Sequence, residues 1–347
     1  MVIRKKLEKS CGLLLAAAVV ALGIQARVSA CSDILLNNSG ASVVSGRTMD
    51  LETDLKSELV AVSKGQNVQV VYPDGTKGIS YESKYSFVGI NALNMNTYCD
   101  GLNEKGLSAA FLWLEETKYP ESKEYPGYKA IPTTYAIAWI LGNFSSVKEV
   151  RQSLEKTIIT GVYVDALKLV VPLHMVIHDR AGNTLFLEMV DGKVKMSENV
   201  SKVFTNDPVI EWQLINMINY QNSTNSGYFG GRGIPGDMCA PSRFVALTFL
   251  NKYVKPSNSD REAVQNCYGI LNRVNVVAGE KVTDTGADYT QWTIVRDHKN
   301  AVLYYRTSGN QSIRMVDLAK INFKKGALLK LPLEDNAWVT NNTNLFK

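Results

Sequence analysis

Over the first third of the chain after residue 30, apolar residues come in short runs separated by turn residues. That is the pattern of strands rather than helices. Runs at 34–36 and 43–46 flank Asn37-Asn38-Ser39-Gly40 and predict an opening hairpin. Such a hairpin brings Cys31 beside the end of its second strand, where Arg47-Thr48-Met49-Asp50 lies. Further strands are predicted over 59–62, over 68–72 before Pro73-Asp74-Gly75, and over 87–90. Asp100-Gly101-Leu102-Asn103-Glu104-Lys105-Gly106 is dense in turn formers and feeds a buried-looking strand over 107–114.

The period then changes. Residues 133–143 carry apolar positions at helical spacing, and 146–156 open on a Ser cap with charged positions on the outer face. Strands return over 173–177 and 184–189, joined by the turn Asp179-Arg180-Ala181-Gly182-Asn183. Helices are predicted over 209–220, 242–253 and 260–274, with a polar surface loop over 221–233. Three closing strands follow, over 290–295, 301–305 and 311–316. Without an internal repeat or a dividing linker, strands at both ends and helices between them predict one layered α+β domain over residues 31–347.

Residues 1–30 stand apart as a targeting segment. Arg4, Lys5, Lys6 and Lys9 form a basic start, 13–24 is an apolar run short for a membrane span, and Val28 and Ala30 are small residues ahead of a cut. This predicts bacterial-type export to the periplasm or the medium, with no membrane span in the mature chain. Removing the leader changes the charge balance. Of 38 basic and 33 acidic residues, five and one lie in the first thirty, leaving a net of +1. Nothing in that balance argues for nucleic acid.

Four cysteines remain after residue 30: Cys31, Cys99, Cys239 and Cys267, with no CxxC spacing and no paired His, which argues against a zinc site. An exported protein can form a disulfide among the last three, and spacing does not choose a pair. His174 and His178 share a face of a predicted strand without a third ligand nearby, and read as structural residues. His298 falls in the polar turn Arg296-Asp297-His298-Lys299 and reads as solvated.

Cys31 itself has two readings. Val28-Ser29-Ala30-Cys31 fits a lipoprotein cleavage box, which would make the chain an acylated surface lipoprotein that binds a ligand without catalysis. Against that, Arg27 places a charge just outside the box, and Cys31 leads directly into a strand without a polar tether. Cleavage after Ala30 would instead give Cys31 an α-amine beside its thiol. An α-amine with a pKa near ~8 is neutral often enough at neutral pH to take the thiol proton itself.

The residues then match a family. Cys31 with Gly46-Arg47-Thr48-Met49-Asp50, and Asp100-Gly101-Leu102-Asn103-Glu104-Lys105-Gly106-Leu107, form the first half of the match. Thr205-Asn206-Asp207-Pro208, Pro235-Gly236-Asp237, Pro241-Ser242-Arg243-Phe244 and Asp288-Tyr289-Thr290-Gln291-Trp292 follow in order. Tyr304-Tyr305-Arg306-Thr307 and Ile313-Arg314-Met315-Val316-Asp317 close it. From Cys31 to about Asp317 the chain resembles the choloylglycine hydrolases, N-terminal-nucleophile (Ntn) amidases that include bile salt hydrolases and penicillin V acylases.

The resemblance implies an Ntn-hydrolase αββα sandwich, two antiparallel sheets between helical layers. It also implies hydrolysis of a linear carbon–nitrogen amide of a small-molecule substrate, with no metal or organic cofactor. Cys31 would be the nucleophile and its α-amine the base. Arg47 would lie beside the sulfur, Asp50 would hold the amine, and Asn206 would offer its amide to the oxyanion. Arg243 matches a second site arginine, although on a helix it also reads as a packing or salt-bridge residue. Asn206-Asp207-Pro208 doubles as a helix start with an Asn or Asp cap.

This chain departs from the family pattern in places. Trp113 stands where many bile salt hydrolases carry Asn, and reads as a substrate-binding aromatic wall. That is closer to exported acylases of Gram-negative bacteria. Ser32 replaces a common Thr. The segment between Asn206 and Arg243 is shorter than in the tetrameric members, which leaves homo-oligomerisation open. Phenoxymethylpenicillin-like amides, N-acyl-homoserine lactones and conjugated bile salts are all candidate substrates, with Trp113 favouring an apolar acyl group.

Overall fold

The computed structural model describes residues 30–223, 233–282, 286–323, 328–335 and 337–340. Residues 1–29 of the expected leader and most of the expected loop at 221–233 lie outside the described residues. Fourteen strands make up the two large sheets. In chain order the first seven are β1 (Ser32–Leu35), β2 (Val44–Asp50), β3 (Glu58–Val62), β4 (Phe87–Asn91), β5 (Tyr98–Asn103), β6 (Ser108–Trp113) and β7 (Leu173–His178). Then come β8 (Thr184–Val190), β9 (Lys193–Glu198), β10 (Val203–Thr205), β11 (Thr290–Asp297), β12 (Val302–Thr307), β13 (Arg314–Asp317) and β14 (Leu328–Pro332).

A six-stranded sheet runs β10-β1-β2-β11-β12-β13, and an eight-stranded sheet runs β9-β8-β7-β6-β5-β4-β3-β14. Every ladder in both is antiparallel. Helices α1 (Thr133–Asn143) and α2 (Val147–Leu154) cover the outer face of the larger sheet. Past α3 (Ile210–Ser223), α4 (Ala240–Tyr253) and α5 (Asp260–Leu271) cover the outer face of the smaller one. The result is the αββα sandwich that the resemblance implied.

Strand periodicity sorts side chains between these layers. In β6, Ala110 and Leu112 enter the core that joins the sheets, whereas Ala109 and Phe111 enter the core beneath α1 and α2. Because β2 is covered on both faces, all seven of its residues are buried. Four of them, Ser45, Arg47, Thr48 and Asp50, are polar or charged and so need partners inside the protein. Gly46 lets α5 approach: a Cβ there would lie 2.7 Å from both Cys267 Sγ and Leu271 Cδ1. Across the inter-sheet seam, Phe186 of β8 and Phe204 of β10 stack with centroids 4.4 Å apart. Such a pair adds roughly 0.5–1.5 kcal/mol beyond its buried area.

The opening hairpin pairs Ser32 with Thr48 and Asp33 with Arg47. Helix α1 spans the predicted residues, and the Ser146 side chain caps α2 by accepting from Glu149 N. Two expectations change. Helix α3 begins at Ile210, whose N–H donates to Glu188 Oε1 at 2.8 Å. No Asn206 or Asp207 cap forms there, because Asp207 Oδ1 instead accepts from Glu115 N at 2.6 Å. His298 is not solvated: it is fully buried. Its ring lies between Gly106 O at 2.9 Å and Ser45 Oγ at 2.8 Å. The turn ending in Gly106 (φ +80°) sits directly against it, leaving only 2.0 Å between a notional Cβ and His298 O.

Burial pushes the His298 imidazole down to about 3, from an ordinary 6.5. Between these values the unfolded chain binds the extra proton. The His298 contribution to stability is therefore complete above about pH 6.5 and is lost as pH falls toward 3. His298→Gln should flatten the pH dependence of the unfolding free energy by up to about 1.4 kcal/mol per pH unit in that window. Urea denaturation of both proteins measures the difference, and parallel slopes would reject it.

Candidate active site

The hairpin sets Cys31 level with Met49, and its Sγ lies 3.7 Å from Met49 Sδ and 3.8 Å from the Asp50 carbonyl. Two residues before Met49 on β2, and therefore on the same face, Arg47 brings Nη2 to 3.6 Å from the sulfur. The same nitrogen donates to the Phe111 carbonyl. Nη1 donates to Asp100 Oδ2 and to the Cys99 carbonyl, each at 3.1 Å. The guanidinium also lies 5.3 Å from the Trp292 ring. Burial works against its charge, but Cys31 and Asp100 more than offset that and raise its pKa.

Asp100 is shared. Arg296 of β11 donates Nε to its Oδ1 at 3.0 Å and Nη2 to its Oδ2. Arg296 Nη1 continues to Asp33 Oδ2 at 3.2 Å and to Ser45 Oγ at 3.0 Å. Asp33 Oδ1 meets His178 Nε2 at 2.7 Å, and His178 Nδ1 meets Thr184 Oγ1 at 2.9 Å. Burial opposes the Asp33 charge, yet His178 and Arg296 bring its pKa below the usual carboxylate value. The side chains of this network are 0–1% exposed, so its partners are other protein groups rather than water.

On the other side of Cys31, the Asp50 carboxylate accepts from Thr48 Oγ1 at 2.8 Å and from Thr290 Oγ1. Burial pushes it up to about 6. Arg243 enters from α4 with Nη1 on the Cys31 carbonyl at 2.6 Å and on Ser32 Oγ at 2.5 Å. Its Nε donates to Met238 O at 3.0 Å and its Nη2 to Asn206 Oδ1 at 2.9 Å. Asn206 Nδ2 donates to the Trp113 carbonyl at 2.8 Å. The helical arginine that had two readings from sequence is thus the tie between Cys31 and Asn206.

Cys31 and Arg47 border a cavity of about 120 Å³, walled by Leu93, Phe111, Trp113 and Leu167 among others. Trp113 belongs to this wall, and its Nε1 donates to Glu115 Oε2 at 2.9 Å. Of the six site residues singled out from sequence, Cys31, Arg47 and Trp113 line this cavity, and Asp50, Arg243 and Asn206 are joined to Cys31 or Trp113 by the contacts above. Sequence reasoning missed Asp100, Arg296, Asp33 and His178, which hold Arg47 from behind, and Thr290, which holds Asp50. Asp100 and Thr290 lay inside matched motifs, and charged Asp33 directly before a predicted strand was a signal of pairing. No disulfide joins cysteines among the described residues. Nor does any group of three His, Cys, Asp or Glu residues there suit a metal ion, and no helix there is long and apolar enough to span a membrane.

A family model for linear amide C–N hydrolases, choloylglycine hydrolase family, matches residues 31–330. The bile salt hydrolase/transferase of Lactiplantibacillus plantarum is 30% identical over 313 residues, covering 84% of this chain and 94% of that one. Penicillin V acylase of Pectobacterium atrosepticum is 29% identical over 320 residues, covering 84% and 82%. A solved variant of the Clostridium perfringens conjugated bile acid hydrolase superposes with a TM-score of 0.79 at 25% identity. It covers 90% of this chain and 100% of that one.

Removing Asp100 would leave Arg47 and Arg296 buried without their common carboxylate. Asp100→Asn should therefore cost about 3–5 kcal/mol of stability, read from urea unfolding of the variant against the parent. A loss below about 1 kcal/mol, the scale of an exposed pair, would show that the two guanidiniums do not depend on it.

Proposed function

The chain belongs to the choloylglycine hydrolase family of linear amide C–N hydrolases, and we propose that Cys31 is its N-terminal nucleophile. Cleavage after Ala30 would turn the Cys31 nitrogen into an α-amine. That amine takes the thiol proton, directly or through water, and the sulfur attacks the amide carbonyl. As the C–N bond breaks, the α-ammonium returns the proton to the leaving amine. Water, deprotonated by the same α-amine, then releases the acyl group from sulfur as a carboxylic acid.

The observation that carries this reading is the placement of Cys31 Sγ at the edge of an apolar cavity, 3.6 Å from a buried guanidinium. Asp50 holds the α-amine in place. Asn206 has one amide N–H on Trp113 and offers the other to the oxyanion, together with a backbone N–H. Arg243 fixes the Cys31 carbonyl and the Asn206 oxygen in one geometry. The lipid-anchor alternative fits less well, since Cys31 is only 2% exposed.

The cavity wall supports an apolar acyl group on the substrate, as in phenoxymethylpenicillin, N-acyl-homoserine lactones or conjugated bile salts. Such a wall distinguishes acyl chains by only ~1–3 kcal/mol per methylene, which favours a broad acyl range. The leader supports export to the periplasm or the medium, so that one cut both matures and activates the enzyme.

Cys31→Ala and Cys31→Ser should each lower amine release from these three substrate classes by roughly 10³-fold or more. Retaining the leader, or placing Met before Cys31, should do the same, and full turnover by an N-blocked protein would remove the α-amine from the mechanism. Asp50 supplies a pH test. Its carboxylate is the working form, so kcat/KM should fall as pH drops through 6 or somewhat below, where a neighbouring α-ammonium would move the titration. Asp50→Asn should abolish that limb along with most of the rate. An unchanged acidic limb in Asp50→Asn would assign it to another group.

A further inference from the structure

Asn206 is held at its side chain by Arg243 and Trp113, but its backbone is held by a residue that no motif contains. Gln213 lies in the first turn of α3 and is 2% exposed. Its Nε2 donates to the carbonyls of Asn206 at 3.3 Å, Asp207 at 3.1 Å and Pro208 at 3.3 Å, and to Thr205 Oγ1 at 3.4 Å. One amide nitrogen therefore sits in the concave side of the turn that carries Asn206. Its own Oε1 is buried without a partner. Leaving a buried acceptor unsatisfied costs about 1–3 kcal/mol, so the amide is held in place by what its nitrogen binds. The helix that carries Gln213 is itself anchored, because Glu188 of β8 accepts from Ile210 N at 2.8 Å.

We infer that Gln213 is a positioning residue for the amidase reaction and acts through Asn206, an inference that rests on the oxyanion role proposed above. The turn 205–208 has no regular ladder beyond β10 to fix it. With three successive carbonyls gathered on one donor, the Asn206 Cα has little room to shift. Without that donor the turn relaxes, and the amide N–H moves away from where the oxyanion forms. Displacement of a reacting group by about 1 Å can cost on the order of 10²-fold in rate.

The test is a double-mutant cycle in the mature protein, with phenoxymethylpenicillin and an N-acyl-homoserine lactone as probes and amine release as the signal. Gln213→Met keeps the side-chain length and removes the donors. It should lower kcat by roughly 10- to 100-fold with KM changed less than about twofold. In the Asn206→Ala background the same substitution should cost less than about twofold, since the group it positions is gone. Gln213→Glu, matched in size, places carboxylate oxygens against the three carbonyls and should lose more rate than Gln213→Met. It also serves as the second variant if Gln213→Met fails to fold. Equal losses in both backgrounds, or a folded Gln213→Met with wild-type kcat, would overturn the inference. So would Asn206→Ala with full activity, although Cys31 would then stand as nucleophile. Absence of turnover by wild type on both probes would instead refute the substrate reading proposed above.

Discussion

A line of buried ions, Arg47–Asp100–Arg296–Asp33, ending on the His178 ring, ties the two sheets of this protein together. Arg47, Asp33 and Arg296 come from the six-stranded sheet, and Asp100 and His178 from the eight-stranded one. A charge buried without partners costs several kcal/mol, so no member is tolerable except beside the next. The seam can therefore close in one register only. Apolar contacts such as Phe186 on Phe204 fill the same seam but would tolerate a slip far better than the ion pairs do.

That constraint reaches the chemistry directly, because Arg47 is both the last ion of the line and the cation beside Cys31. Its guanidinium is fixed from behind before any substrate arrives, so little reorganisation is left for the moment of reaction. Arg243 does the same from the helical side, where its one guanidinium spans the Cys31 carbonyl, Ser32 and Asn206. The cavity borders Cys31 and Arg47 and is itself apolar, so its polar contacts are gathered at that one end.

Much of this was legible from the chain alone. The hairpin, α1 and the Ser-capped α2 follow from local periodicity and turn chemistry, which act over a few residues, whereas the αββα order of layers was implied by the family resemblance. Cys31, Arg47, Asp50, Asn206 and Arg243 were legible because they sit in matched motifs, and Trp113 as a departure from the family pattern. Asp100, Arg296 and His178 were not, since each reads locally as an ordinary turn or strand residue. Their meaning is a partner 196 or 145 positions away. His298 was misread for the same reason. A polar turn normally faces water, but this one is covered by the turn ending in Gly106 of the opposite sheet.

By itself the sequence determined the family and the order in which strands and helices are laid down, because hydrophobic period, turn residues and motifs are local properties. Only the tertiary structure decided that Arg243 bridges Cys31 and Asn206, that Gln213 gathers the carbonyls of the Asn206 turn, and that Asp100, Arg296, Asp33 and the His178 ring stand behind Arg47. The physical reason is that burial removes water as a partner. What a charged or polar side chain does is then fixed by the groups the fold brings to it, and these are far apart in sequence.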